Sequence, residues 1–165
     1  ECFNHIVDYI RPGMTENQIA REIDYFYYKH SEGLSFDTIV ASGENSSKPH
    51  AIPSDRKIQK NDIITIDMGC KIKGYCSDMT RTIFVGDVPE EMKKVYELVL
   101  KNQEQVLQDM RDGAENKLKE EMIVTDEPGI YIPGQFGVRI EDTVQIFKGS
   151  CEPLTKSPKK IIVIK

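Results

Sequence analysis

Two pairs of acidic residues fall where hairpins would press like charges together, and carboxylates held that way are suited to gripping divalent cations. In residues 62–82 a β-rich run folds back around Lys71 to Gly74, and a turn centred between Ile72 and Lys73 sets Asp67 opposite Asp78. In residues 125–143 a turn centred on Gly134 sets Glu127 opposite Glu141. Directly opposed strand residues hold their Cβ atoms roughly 4.5–5.5 Å apart, where like charges destabilise a sheet. A cation between them removes that penalty. Carboxylate oxygens suit hard or borderline metals, and bridging carboxylates hold two such ions about 3.5–4 Å apart in hydrolytic sites. The competing explanation is that both pairs lie on solvated faces or are neutralised by Lys or Arg; two hairpins repeating one arrangement weigh against it.

The elements around these acids must aim them inward. Alternation with period two places Thr65, Asp67, Cys76, Asp78 and Thr80 on one face of the first hairpin, and Ile64, Ile66, Met68, Met79 and Ile83 on the other. One face is polar and acidic, the other wants a core. Arg81 interrupts the apolar side and is expected to snorkel to an edge. The second hairpin contains Pro128, which cannot donate to a ladder, and Gly129, which marks a bulge or a close backbone approach, so its register rests on the turn at 132–135.

Upstream, Phe3, Ile6, Val7 and Ile10 form an amphipathic segment that ends near Arg11-Pro12-Gly13. It starts without a cap, which predicts a preceding segment. Thr15 with Gln18 reads as a capping box, opening a helix striped by Ile19, Ile23, Phe26 and Tyr27. A strand over 36–42 leads to a Gly/Asn/Ser loop that delivers Lys48-Pro49-His50. Pro89 at the first helical position, with Glu90 and Glu91 behind it, opens a long helix whose stripe of Met92, Val95, Val99, Val106 and Met110 runs to Arg111. A last strand spans 161–164. Helices alternating with antiparallel hairpins predict an α+β fold.

The chain's 165 residues fit one domain with a real core, and a net charge of −5 leaves no footprint for nucleic acid. No apolar run nears the ~20 residues of a membrane span, so no membrane partner is expected. Cys2, Cys70, Cys76 and Cys151 show no C-x-x-C spacing, which argues against a disulfide framework or zinc knuckle and for a cytoplasmic protein.

Six stretches occur in order: Ser35-Phe-Asp-Thr-Ile-Val-Ala-Ser-Gly43, Lys48-Pro-His-Ala51, Thr65-Ile-Asp-Met-Gly69, Gly74-Tyr-Cys-Ser-Asp-Met-Thr-Arg-Thr82, Asp126-Glu-Pro-Gly-Ile-Tyr131 and Gly137-Val-Arg-Ile-Glu-Asp-Thr143. Together they resemble the pita-bread metallopeptidases, in particular the Xaa-Pro branch of aminopeptidase P and prolidase-like enzymes rather than methionine aminopeptidases. The resemblance implies a catalytic domain over 1–165 with an antiparallel sheet covered by helices, and an exopeptidase that hydrolyses the amide after an N-terminal residue, ahead of proline. It implies two divalent metal ions, Mn²⁺ first with Co²⁺ or Zn²⁺ as alternatives. Asp67 would bind one metal, Asp78 and Glu141 would bridge both, and Glu127 would bind the second while shuttling protons. His50 would hydrogen-bond the substrate near the scissile amide, and Arg139 would face the substrate or support the ligands. The partner is then a peptide or dipeptide substrate, and a homodimer is compatible with the family.

One departure is large. Between the long helix and Glu127 the family carries a further helix and a His-Gly-x-Gly-His strand that supplies a histidine metal ligand. Here residues 110–124 pass straight through, and His5, His30 and His50 are the only histidines. Losing central sheet would leave backbone groups unpaired in a domain stable by only ~5–15 kcal/mol. The expectation is therefore a segment missing near 113–116, together with the family's N-terminal domain. The alternative is a non-catalytic pita-bread module that has lost a metal ligand and binds peptides or proteins.

Overall fold

The computed structural model describes residues 1–111 and 118–165. In chain order the elements are α1 (Cys2–Tyr9), α2 (Glu16–His30), β1 (Ile39–Ser42), a 3-10 turn (Gly43–Ser47), β2 (Ile63–Met68), β3 (Lys71–Ile72), β4 (Tyr75–Cys76) and β5 (Met79–Val85). There follow α3 (Glu90–Asp109), β6 (Ile123–Asp126), β7 (Gly129–Ile132), β8 (Phe136–Arg139), β9 (Asp142–Phe147), β10 (Ser150–Pro153) and β11 (Val163–Ile164). The architecture is mixed α+β, as the alternation predicts.

β1, β2, β5 and β11 form the central sheet in that order, antiparallel except for β11, which runs parallel to β5. Its period-two pattern buries Ile64, Ile66, Met68, Ile83 and Val85 against Phe3, Ile6, Ile19 and Ile23 of α1 and α2. Each fully buried isoleucine contributes on the order of 2 kcal/mol. The capping box at the start of α2 forms as expected, Thr15 Oγ1 accepting from the Gln18 N–H and Gln18 Oε1 from the Thr15 N–H.

The opposite face of the sheet is covered too, so every residue of β2 is buried. Ile63 and Phe84 meet Tyr96 and Val99 of α3 and Phe136, Val138 and Ile140 around β8. The acidic half of this face therefore lies inside the protein. On α3 the buried residues are Tyr96, Val99 and Gln103, while Val106 is 40% exposed. The apolar stripe thus fades over the last turns, and Pro89 is the N-cap rather than the first helical residue.

Two registers decide the site. The first hairpin turns between Lys73 and Gly74, both at positive φ (52° and 78°), which a tight two-residue turn requires. Lys71 pairs with Cys76 and, beyond a break, Asp67 with Thr80. The expected turn was centred one residue earlier, so the pairing shifts by two and Asp67 faces Thr80 instead of Asp78. Because the shift is even, both aspartates stay on one face. The second hairpin turns on Gly134 as expected: Gly129 pairs with Arg139 and Ile132 with Phe136. β6 and β9 continue the same register, with Thr125 opposite Thr143 and Asp126 opposite Asp142.

Candidate metal centre

Threonines dock the two hairpins. On the covered face Thr65 and Thr82 sit opposite one another. Thr82 Oγ1 accepts from the Arg139 N–H at 3.1 Å and donates to the Arg139 carbonyl at 2.8 Å, a side-chain substitute for a strand ladder. The Glu141 N–H then donates to the Thr80 carbonyl at 3.1 Å. Asp78 arrives from the break before β5. There Gly69 allows the chain to close in, since a Cβ at that position would strike the Ser77 carbonyl.

These contacts bring one carboxylate oxygen each of Asp67, Asp78 and Glu141 within 4.8 Å of one another. Asp67 and Glu141 are buried and Asp78 is half-buried. Arg139, itself buried, braces the group: its Nη2 donates to Asp67 Oδ2 at 2.7 Å and its Nε to Thr80 Oγ1 at 3.0 Å. Thr80 Oγ1 in turn donates to Glu141 Oε2 at 2.6 Å. The other end of the guanidinium donates from Nη1 to the Tyr131 hydroxyl and the Pro49 carbonyl.

Three acids crowded together out of water hold protons tightly. Burial pushes the Glu141 carboxyl up to about 8, against the Thr80 hydrogen bond that favours its ionised form, and the charges of Asp78, Asp67 and Glu127 add to the rise. Asp78 is pushed up to about 6 by burial first and then by Asp67 and Glu127. Asp67 is also raised, by burial, despite the opposing pull of Arg139. Asp67 Oδ1 is buried with no hydrogen-bond partner. A buried orphan carboxylate oxygen, beside two more acids that resist ionising together, is what a hard divalent cation would satisfy, so the donor set fits a metal of that class.

Of the sequence-predicted residues, Asp67, Asp78, Glu141 and Arg139 come together. Glu127 stands outside the converged group: it is exposed and accepts from Thr125 Oγ1 at 2.9 Å, although its charge is felt by all three acids. His50 is exposed in the loop after the 3-10 turn, next to the Pro49 carbonyl that Arg139 holds. Arg81 does not snorkel. It is buried and hydrogen-bonded on every side, because Asp142 and four carbonyls replace its water. Sequence reasoning also passed over Thr80, whose signal is the Thr65, Thr80, Thr82 run on the acidic face. It missed the Asp126–Asp142 pair, which the register of the second hairpin already encodes.

The fold is shared with solved Xaa-Pro peptidases. It superposes on an X-Pro aminopeptidase from Thermotoga maritima with a TM-score of 0.93 at 33% identity, covering 99% of this chain and 59% of that one. A prolidase from Thermococcus sibiricus gives a TM-score of 0.96 at 33% identity, covering 99% and 57%. This is the pita-bread fold. The sequence matches Metallopeptidase family M24 over residues 1–117 and 112–148, and the chain belongs to that family. Among curated relatives, an uncharacterized peptidase of Bacillus subtilis, YqhT, is 33% identical over 211 residues, covering 99% of this chain and 59% of its own. A Xaa-Pro dipeptidase of Pyrococcus horikoshii is 32% identical over 201 residues, covering 94% and 57%. The chain thus spans less than three-fifths of the length of these relatives.

Proposed function

We propose that this chain carries the metal-holding core of a dinuclear exopeptidase that hydrolyses the amide after an N-terminal residue, with Xaa-Pro peptides as substrates. One observation carries the reading: Asp67, Asp78 and Glu141 converge within 4.8 Å on a covered face, and one Asp67 oxygen there has no protein partner. The proline preference rests on the relatives, which include Xaa-Pro dipeptidases from two Pyrococcus species.

In this reading Asp67, Asp78 and Glu141 hold the ions, with Glu127 as the outer carboxylate. When bound, divalent ions supply an activated water at neutral pH and polarise a carbonyl. The chain's own residues do the rest. Arg139 and Thr80 fix the carboxylates of Asp67 and Glu141 in orientation. Glu127, exposed and opposite Glu141 in the continued register, is free to take a proton from water and return it to the leaving nitrogen. His50 stands on the loop that Arg139 anchors, where it would meet the substrate amide. Mn²⁺ is the ion we favour for a carboxylate-rich donor set. Four free cysteines fit a reducing compartment such as the cytoplasm.

The expected missing segment near 113–116 falls outside the described residues. Two observations support it. The family match restarts at that point, and the alignment with the Bacillus subtilis relative, at 211 positions, is longer than the 165-residue chain. Mass spectrometry of the proteolytic fragment that joins Asp109 to Glu121 in the natural protein would reveal added residues; a fragment with the mass of residues 109–121 alone would show a true deletion.

To test the function, Asp78→Ala and Glu141→Ala are compared with the parent for Mn²⁺ stoichiometry and for hydrolysis of Xaa-Pro dipeptides. Both variants should lose the ions and the activity together. Retained two-ion occupancy in either variant would sink the assignment.

A further inference from the structure

Beneath the carboxylate cluster lies a second polar group that the proposed chemistry does not use. Arg81 and Asp142 are both buried, at 1% exposure each, and meet at 2.7 Å through Nη2 and Oδ1. The other Asp142 oxygen accepts from Gln103 Nε2 at 3.0 Å and Lys159 Nζ at 2.9 Å. Buried ion pairs are weak stabilisers, since desolvation cancels most of the attraction. Stability alone does not explain why a guanidinium sits here.

Its geometry does. Arg81 Nη1 donates to the Glu141 carbonyl at 2.6 Å and to the Thr80 carbonyl at 2.9 Å. Its Nη2 and Nε reach the Ser157 and Pro158 carbonyls. Thr80 and Glu141 are the residues that also meet through the Glu141 N–H, at 3.1 Å, and through the Thr80 hydroxyl on Glu141 Oε2, at 2.6 Å. One guanidinium nitrogen thus closes a ring with the backbones of two residues whose side chains set the cluster. A lysine, with one nitrogen and no planar fork, cannot span these acceptors together.

We propose that Arg81, oriented by Asp142, is a positioning residue that fixes the peptide of Glu141 against Thr80 and so sets the carboxylate cluster for its metal ions. The inference rests on the metal-holding reading of that cluster. Support from outside the first ring of ligands changes metal affinity by about 10–100-fold when it is removed.

The test uses the whole chain. Mn²⁺ binding is titrated by calorimetry, and the Co²⁺ absorption spectrum is recorded for the parent, Arg81→Lys and Lys159→Met, with thermal melts alongside. Arg81→Lys should bind Mn²⁺ at least about tenfold more weakly, with an altered Co²⁺ spectrum. Lys159→Met removes a cation from the same network without touching Thr80 or Glu141, so it should lower Tm and leave metal affinity unchanged. Equal affinity and spectrum in Arg81→Lys overturn the inference, as does an equal loss of affinity in Lys159→Met, which would mark general loosening. Should Arg81→Lys not fold, Asp142→Asn is read in the same way. A parent that takes up no Mn²⁺ overturns the metal reading itself, a result distinct from either.

Discussion

Arg139 donates from Nη2 to Asp67 Oδ2 at 2.7 Å, and the other oxygen of that carboxylate is buried without a partner. The guanidinium therefore neutralises one edge of the acid and aims the other. Arg139 opposes the rise in the Asp67 and Asp78 proton affinities. Replacing it with Met should let both acids hold protons to higher pH. The metal, which competes with those protons, should then bind about tenfold more weakly near pH 6.5, with the gap closing as pH rises. Mn²⁺ calorimetry across that range checks it; an affinity loss independent of pH would point to lost packing instead.

The acids also fix how stability responds to pH. Glu141 is pushed up to about 8 and Asp78 to about 6 in the folded chain, whereas unfolded carboxyls titrate near ~4. Between these limits the folded state binds more protons than the unfolded one. Their contribution is full below the unfolded values and is lost as pH climbs through 6 and then 8. The Tm of the EDTA-treated protein should accordingly fall from about pH 5 to pH 8. Mn²⁺ should raise Tm increasingly over the same range, because it replaces the protons. A metal-free Tm that stays level or rises across this window would contradict the assignment.

The acids that share a face could be chosen from the sequence because strand alternation survives an even slip of register. Asp67 and Asp78 stayed on one face although the pairing moved by two, and the Gly134 turn fixed the second register outright. Burial was harder to read. Nothing in the alternation tells that a polar face will be roofed by β8, since that depends on Thr82 reaching a strand 57 residues away. For the same reason Arg81 looked like a surface residue: apart from the adjacent Thr80 carbonyl, its partners lie at Glu141, Asp142, Ser157 and Pro158, remote in sequence. Glu127 falls opposite Glu141 when the register of β6 and β9 is continued by one residue, but register does not say which side of a turning chain the carboxylate takes.

Glu16 offers a test of how the His50 loop is held. This carboxylate is fully buried and accepts from the Ser42 N–H and hydroxyl, the Asn45 amide, and the Ser54 N–H and hydroxyl. It ties both ends of the loop that carries Pro49 and His50. Glu16→Ala would leave several buried donors unsatisfied, at about 1–3 kcal/mol each before relaxation. A net loss of roughly 3 kcal/mol is expected in urea unfolding, with faster proteolysis confined to residues 43–53. Loss of stability without local cleavage would show that the loop is held by other contacts.

Gly137 is the point where that loop meets the second hairpin. A Cβ there would strike the Ser46 carbonyl, which is backbone and cannot swing aside, and the Gly137 N–H donates to Ser46 Oγ at 2.9 Å. Gly137→Ala must therefore push the 3-10 turn away from β8, the strand that carries Arg139. Overpacking of this kind costs about 1–3 kcal/mol, or roughly 2–12 °C in Tm for a domain of this size. The displacement should also cost function: Arg139 reaches the loop through the Pro49 carbonyl at 2.9 Å, so separating the two surfaces should raise KM for a peptide more than it lowers kcat. Gly134→Ala is the comparison, because that glycine has positive φ but nothing within 4 Å of its missing Cβ. It should lose stability through backbone strain alone and leave KM in place. If both variants change KM equally, the contact between Gly137 and Ser46 is not what joins the loop to the site.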